Sequence, residues 1–305
     1  MAKINSISQT LYPLVMEIKP ECAPCLMKRM LFQAKLANNG TEFKALSATL
    51  RTFADEFGKG KNSAVVATDV HRTSYAAMGV KDPYLALKIR SDEVAAEHTA
   101  AAEGFVNNSK DRFRAAVLMS VVGNVMDFGS GIAIDHPDDF RKEFKKLVDQ
   151  GIGSDDTDRM LEMLRKTKNV IYVFDNCGES QFDKILIKEI QSMGIRVVGV
   201  VRGEPILNDV TMDDAERIGL TKILDRTLTT SQFAIGMDLE KISDELKEEI
   251  SGAGLMIAKG MANYESLSDQ DTGVPVVHIL RSKCTPVARS LGVDTGINVV
   301  RLIEH

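Results

Sequence analysis

The run Ile171–Ser180, IYVFDNCGES, places an acid and an amide at the end of four strand-favouring residues. Asp175 and Asn176 offer hard oxygen donors, and Asp209 offers another in RGEPILNDVTMDDA. Such donors suit magnesium, manganese or a similar divalent ion that keeps several waters. Cations and amides follow other apolar runs. Lys259, Gly260, Asn263 and Glu265 come after Leu255–Ile257, and Arg281, Ser282 and Lys283 after Val276–Leu280. A metal on one side and fixed positive donors on the other is what a phosphoryl group requires. Each feature also has a plain structural reading. Asp-Asn before Cys-Gly is good turn chemistry, and Asn208-Asp209 can cap a helix starting near Asp213. A lysine before glycine is ordinarily a solvated loop residue, and Arg281 and Lys283 can be edge charges. The functional case rests on the combination.

Something must bring these groups together. Short β-branched runs at Val170–Phe174, Arg196–Val201, Thr221–Leu224, Leu255–Ile257, Val276–Leu280 and Val299–Ile303 predict strands. Between the first two, QFDKILIKEIQSMG reads as an amphipathic helix closed by Gly194. This alternation predicts an α/β fold with a parallel sheet covered by helices. In such sheets ligands bind beyond the strand C-termini, near the point where strand order reverses. The first hundred residues read as helical, with helices over Cys25–Ala37, Phe43–Phe57 and Tyr84–Gly104. Arg112–Val122 fits strand or helix, and its Ala and Met content tips it to helix. The expected division is a helical domain over 1–110 and an α/β core over 111–305.

Composition narrows the function. With 38 basic against 43 acidic residues the net charge is -5, which argues against a nucleic-acid grip. There is no GxGxxG and no GxxxxGK[ST], so a small phosphorylated substrate is favoured over a dinucleotide. No segment has the apolar length of a membrane span, and MAKINSISQTLYPLVMEIKP lacks a signal-type apolar core, which predicts a cytoplasmic protein with no membrane partner. Four Cys in 305 residues do not make a disulfide framework. Cys22 and Cys25 form a CxxC at a helix start, and a complete metal site there needs Cys177, Cys284 or His71. His71, His98, His136 and His278 show no ligand spacing and are assigned no role. Asn124 and Asp127 in GNVMDFG are compatible with a helix cap and turn, or with entry into the pocket. The oligomeric state, including a homo-oligomer, is left open by the sequence.

Five stretches in order, GNVMDFG, FDNCGES, RGEPILNDVTMDDA, AKGMANYE and LRSKC, resemble the metal-dependent damage-control phosphatases, and PECAPC resembles the CxxC of their stand-alone prokaryotic subfamily. The resemblance runs from about residue 10 to the C-terminus. It implies a Rossmann-like three-layer α/β/α core with an N-terminal helical domain. It implies hydrolysis of small phosphate monoesters, such as damaged or overflow sugar phosphates and cofactor precursors. It implies a divalent metal (manganese, nickel, cobalt or magnesium) on Asp175, Asn176 and Asp209, with Asn124, Asp127, Glu179, Lys259, Asn263 and Lys283 lining the substrate site. On this expectation the metal activates a water, Lys259 and Asn263 hold phosphate oxygens, and Asp127 orients the water or takes its proton. Lys283 is a helper there, and its alignment with the family lysine is looser than that of Lys259, since the eukaryotic branch has Arg-Thr-x-Lys where this chain has Arg281-Ser282-Lys283-Cys284. A strand-end Asp as nucleophile is the mechanistic rival. An S-adenosylmethionine-dependent carboxyl methyltransferase, or a non-catalytic metal or sugar-phosphate sensor, are the rivals of other classes.

Overall fold

The computed structural model describes residues 16–128 and 134–304; the stretch up to residue 15 and Gly129 of the GNVMDFG run lie outside the described residues. Four helices come first: α1 (Cys22–Ala37), α2 (Glu42–Glu56), α3 (Ser63–Met78) and α4 (Leu85–Asn108). Asn62 caps α3, its side chain accepting from the Ala64 and Val65 N–H groups, and Gly79 closes it in the left-handed region. The helical count of this region thus exceeds the three predicted, because the Val, Thr and Ser of α3 are interspersed with its four Ala and dilute the helical signal. Next come α5 (Arg112–Val122), α6 (Phe140–Asp149), β1 (Ser154–Asp155), α7 (Thr157–Leu164) and β2 (Asn169–Val173). Then follow α8 (Glu179–Ser192), β3 (Arg196–Val201), α9 (Met212–Arg217), β4 (Arg226–Thr229) and α10 (Asp244–Ser251). The remaining elements are β5 (Leu255–Lys259), α11 (Gly260–Leu267), β6 (Val276–Arg281), α12 (Thr285–Leu291) and β7 (Asn298–Ile303).

The strands form one sheet in the order β1-β7-β6-β5-β2-β3-β4, parallel throughout except for the β6–β7 pair. Strand residues alternate between its faces. Val170, Tyr172, Val197, Val201 and Ile257 share a core with α4, α5 and α8, while Ile171, Val173, Val198, Val200 and Met256 share another with α10. Three layers, α/β/α, result as expected, and α4 joins the first core through Val94, Ala95 and Val106.

One predicted strand is corrected. Thr221–Leu224 is not a strand: Leu220–Lys222 forms a 3-10 turn and the strand comes later, at Arg226–Thr229. Leu220 and Leu224 are four apart, so a helical turn buries both. The true strand, RTLT, lies at the sheet edge and is only half buried, so it lacks the apolar signature of the others. β1 is two residues long and carried no sequence signal.

The topology fixes where a ligand can sit. From β2 the chain goes to β3 on one side, and later enters β5 on the other. The strand order therefore reverses between β2 and β5, and the crevice beyond their C-termini is the expected binding position.

Candidate active site

Asp175 and Asn176 follow β2 at this reversal. β5 ends in Lys259, and Gly260 opens α11 with φ +74°. A Cβ on Gly260 would lie 1.7 Å from Asp175 Oδ2, so only glycine lets β5 approach the acid this closely. The loop after β3 is laced to the loop after β2. Val210 N–H donates to the Asp175 carbonyl at 2.8 Å, Cys177 N–H donates to the Asn208 carbonyl at 2.8 Å, and Asn176 bridges Asp209. This lacing brings Asp209 beside Asp175 and Asn176 and explains the buried Cys177, whose side chain fills the core under the two loops.

Asp175, Asn176, Asp209, Asp127 and Lys283 all line one cavity. Burial, then the charges of Asp209 and Glu179, push the Asp175 carboxyl well above its ordinary range. Burial also raises Asp209, against the pull of Arg202, whose Nε donates to Asp209 Oδ2 at 2.6 Å. Asn176 Nδ2 donates to Asp175 Oδ2 at 2.7 Å and to Glu179 Oε2 at 3.1 Å. Two crowded buried carboxylates with one amide beside them are a donor set that fits a hard divalent cation. Asn176 is essential to that fit, since among the described residues no three His, Cys, Asp or Glu side chains are grouped to hold a metal.

Asp127 is clamped between two cations. Arg29 Nη1 stands 2.9 Å from Oδ1 and Lys283 Nζ 2.8 Å from Oδ2. Burial alone would raise its pKa, but Arg29 and then Lys283 override it and hold the carboxyl well below its usual range. Lys283 also donates to the Asn124 carbonyl at 3.0 Å, which leaves one of its three N–H groups for the cavity. Arg29, on α1, was not singled out from sequence; its partner lies 98 positions away, with no local signal.

The other four expected residues form a layer behind the cavity. Lys259 is fully buried and spends all three donors, on Glu179 Oε1 at 2.5 Å, Asp183 Oδ1 at 2.8 Å and the Ser120 carbonyl at 2.9 Å. Glu179 Oε2 in turn accepts from Asn124 Nδ2 at 2.8 Å. Asn263 Nδ2 donates to the carbonyls of Lys259 and Phe174, and its Oδ1 accepts from Arg202 Nη1 at 3.0 Å. Asn124 Oδ1 accepts from Arg281 N–H at 3.0 Å. The network knits the ends of β2, β5 and β6 to the α5 terminus.

The far wall of the cavity comes from helices α1, α3 and α11, with Cys284 at the start of α12. Cys22, Cys25 and Cys284 all line it, and burial raises each thiol, Cys284 to about 12. His71 also lines it, but burial and Arg29 lower its pKa to about 3 and its Nδ1 pairs with Gln33 Oε1 at 3.0 Å. Cys177 does not line the cavity and sits in the core instead. Glu265 faces the cavity and accepts from Ser63 Oγ at 3.1 Å; burial pushes its carboxyl up to about 7.

Residues 18–299 match the model of the damage-control phosphatase ARMT1-like domain. A damage-control phosphatase of Archaeoglobus fulgidus is 37% identical over 291 residues, covering 95% of this chain and all of that protein. A damage-control phosphatase of Pyrococcus horikoshii is 30% identical over 92% of this chain and 96% of its own length. A crystal structure from that organism, described as a DUF89 family protein, superposes with a TM-score of 0.80 at 28% identity, covering 93% of this chain and 98% of that one. Fold and relatives agree: the chain belongs to the ARMT1-like damage-control phosphatase family.

Proposed function

We propose that the chain is a divalent-metal-dependent phosphatase acting on small phosphate monoesters. The observation that carries the reading is the meeting of Asp175, Asn176 and Asp209 on one cavity at the reversal of strand order, with Lys283 beside them. The names of the relatives support a phosphatase, and the donor set supports a hard metal. Held by Asp175, Asn176 and Asp209, manganese, nickel, cobalt or magnesium would supply charge neutralisation at the phosphoryl group and a water of lowered pKa.

The chain's own residues then divide the work. Asp127, kept ionised by Arg29 and Lys283, accepts a hydrogen bond from the water and orients it; so firmly held an anion is a weak base. The remaining N–H of Lys283 reaches a phosphate oxygen. Lys259, Glu179, Asn124 and Asn263 act by position: Lys259 fixes Glu179, Glu179 fixes the amides of Asn124 and Asn176, and Asn263 fixes Arg202 against Asp209. The helical wall excludes bulk water from the ester. Among the described residues no helix is long and apolar enough to cross a membrane.

The test is phosphate release from sugar phosphates and phosphorylated cofactor precursors with magnesium, manganese, cobalt and nickel. Asp175→Ala and Asp209→Ala should each lower release on the order of 100-fold or more. Undiminished turnover in either variant sinks the reading.

A further inference from the structure

The far wall of the cavity carries information about the leaving group. Its cations turn towards Asp127: Arg29 Nη1 and Lys283 Nζ both pair with it, at 2.9 and 2.8 Å, and the N–H that Lys283 keeps serves the phosphoryl group. His71 is bonded to Gln33, and Glu21, at the mouth, pairs with Arg289 at 3.1 Å. Glu265 is different. It opens on the cavity from α11, and among the described residues its carboxylate takes one hydrogen bond, from Ser63 Oγ on Oε1, at 3.1 Å. Ile18, Leu26, Ile235 and Met261 supply apolar surface around it.

We propose that Glu265 selects the leaving group, accepting a hydrogen bond from a hydroxyl or ammonium of the ester's carbon chain and excluding esters that carry a second anion. The physical reason is a balance of charge. A hydroxyl or ammonium opposite Glu265 makes a charge-assisted bond in a site screened from water. Above neutral pH a second phosphate or a carboxylate there meets the like charge of Glu265. The favoured substrate class is therefore a polyol-type or amino-polyol monophosphate rather than a bisphosphate or a phosphorylated acid. This inference rests on the phosphatase reading.

The two can be tested apart. The wild-type protein with manganese is first assayed on p-nitrophenyl phosphate, then on a matched series: a hexitol 6-phosphate, the 6-phosphoaldonic acid of the same length, and the hexitol 1,6-bisphosphate. The expected kcat/KM for the hexitol monophosphate exceeds that for the two esters carrying a second anionic group, and Glu265→Gln shrinks the ratio about tenfold. The readout is a ratio between substrates within one variant, so partial loss of folded enzyme does not change it. If p-nitrophenyl phosphate and the whole series stand uncleaved with all four metals, the phosphatase reading fails and the selection falls with it. If they are cleaved and Glu265→Gln keeps the wild-type ratio, or the wild type prefers the bisphosphate, the selection alone is overturned.

Discussion

Lys259 and Lys283 separate what a sequence displays from what a structure does with it. Both follow apolar runs, and Lys259 matches the family stretch more closely. Yet Lys259 is enclosed by Glu179 and Asp183, which lie 80 and 76 positions upstream, and Lys283 meets the cavity. No local spacing announces an ion pair formed over such a distance. Removing Lys259 would leave buried carboxylates without their cation. Lys259→Met is therefore expected to cost about 3–5 kcal/mol in urea unfolding, however well the side chain fills the space. A loss under about 1 kcal/mol would mean the acids find other partners. Gly260 makes a second prediction at this scale. Gly260→Ala drives a methyl into Asp175 and strains a positive φ, so manganese affinity by calorimetry should fall about tenfold or more. Unchanged affinity would show that Asp175 is not held by this contact.

At the level of elements, α4 acts on the proposed metal ligands from outside the cavity lining. Asp92 Oδ1 accepts the Gly178 N–H at 2.7 Å, and Oδ2 meets Arg217 Nη2 at 2.7 Å. Arg217 also meets Asp214, which caps α9 at Thr211 and pairs with the buried Lys88 at 3.0 Å. The loops after β2 and β3 thus both hang from one helix. Asp92→Ala should weaken metal binding about 10- to 100-fold, while Asp92→Asn, which keeps an acceptor for Gly178, should recover most of it. Equal effects of the two variants would remove the Gly178 bond from the account. These elements were only partly legible in advance. α4 is rich in helix-forming residues and β2 is an unbroken apolar run, but an edge strand such as RTLT and the two-residue β1 owe their form to neighbours distant in sequence.

For the whole molecule, the α/β class and three-layer arrangement were readable because buried parallel strands are apolar on both faces. The antiparallel β7 was not, since apolar content carries no direction. Burial of acids gives the molecule a characteristic pH response. Glu265 is raised from 4.5 to about 7 and Asp183 from 3.8 to about 6, in both cases first by burial. A raised carboxyl favours the folded state below its unfolded pKa and loses that contribution as pH rises through the folded value. Asp138 and Glu249, lowered to about 2 by arginine partners, act in the opposite sense and lose their contribution as pH falls towards 2. The melting temperature should therefore decline between pH 5 and pH 8, and decline less in Glu265→Gln; parallel curves for the two proteins would contradict the raised Glu265. The sheet order has a last consequence, for synthesis. β7 lies between β6 and β1, with Val299 beside Ser154, although a ribosome emits Ser154 long before Val299. While translation runs between them, β6 presents an unpaired edge and β1 has no neighbour, so a chain stalled in that interval is a sticky half-sheet and a client for chaperones.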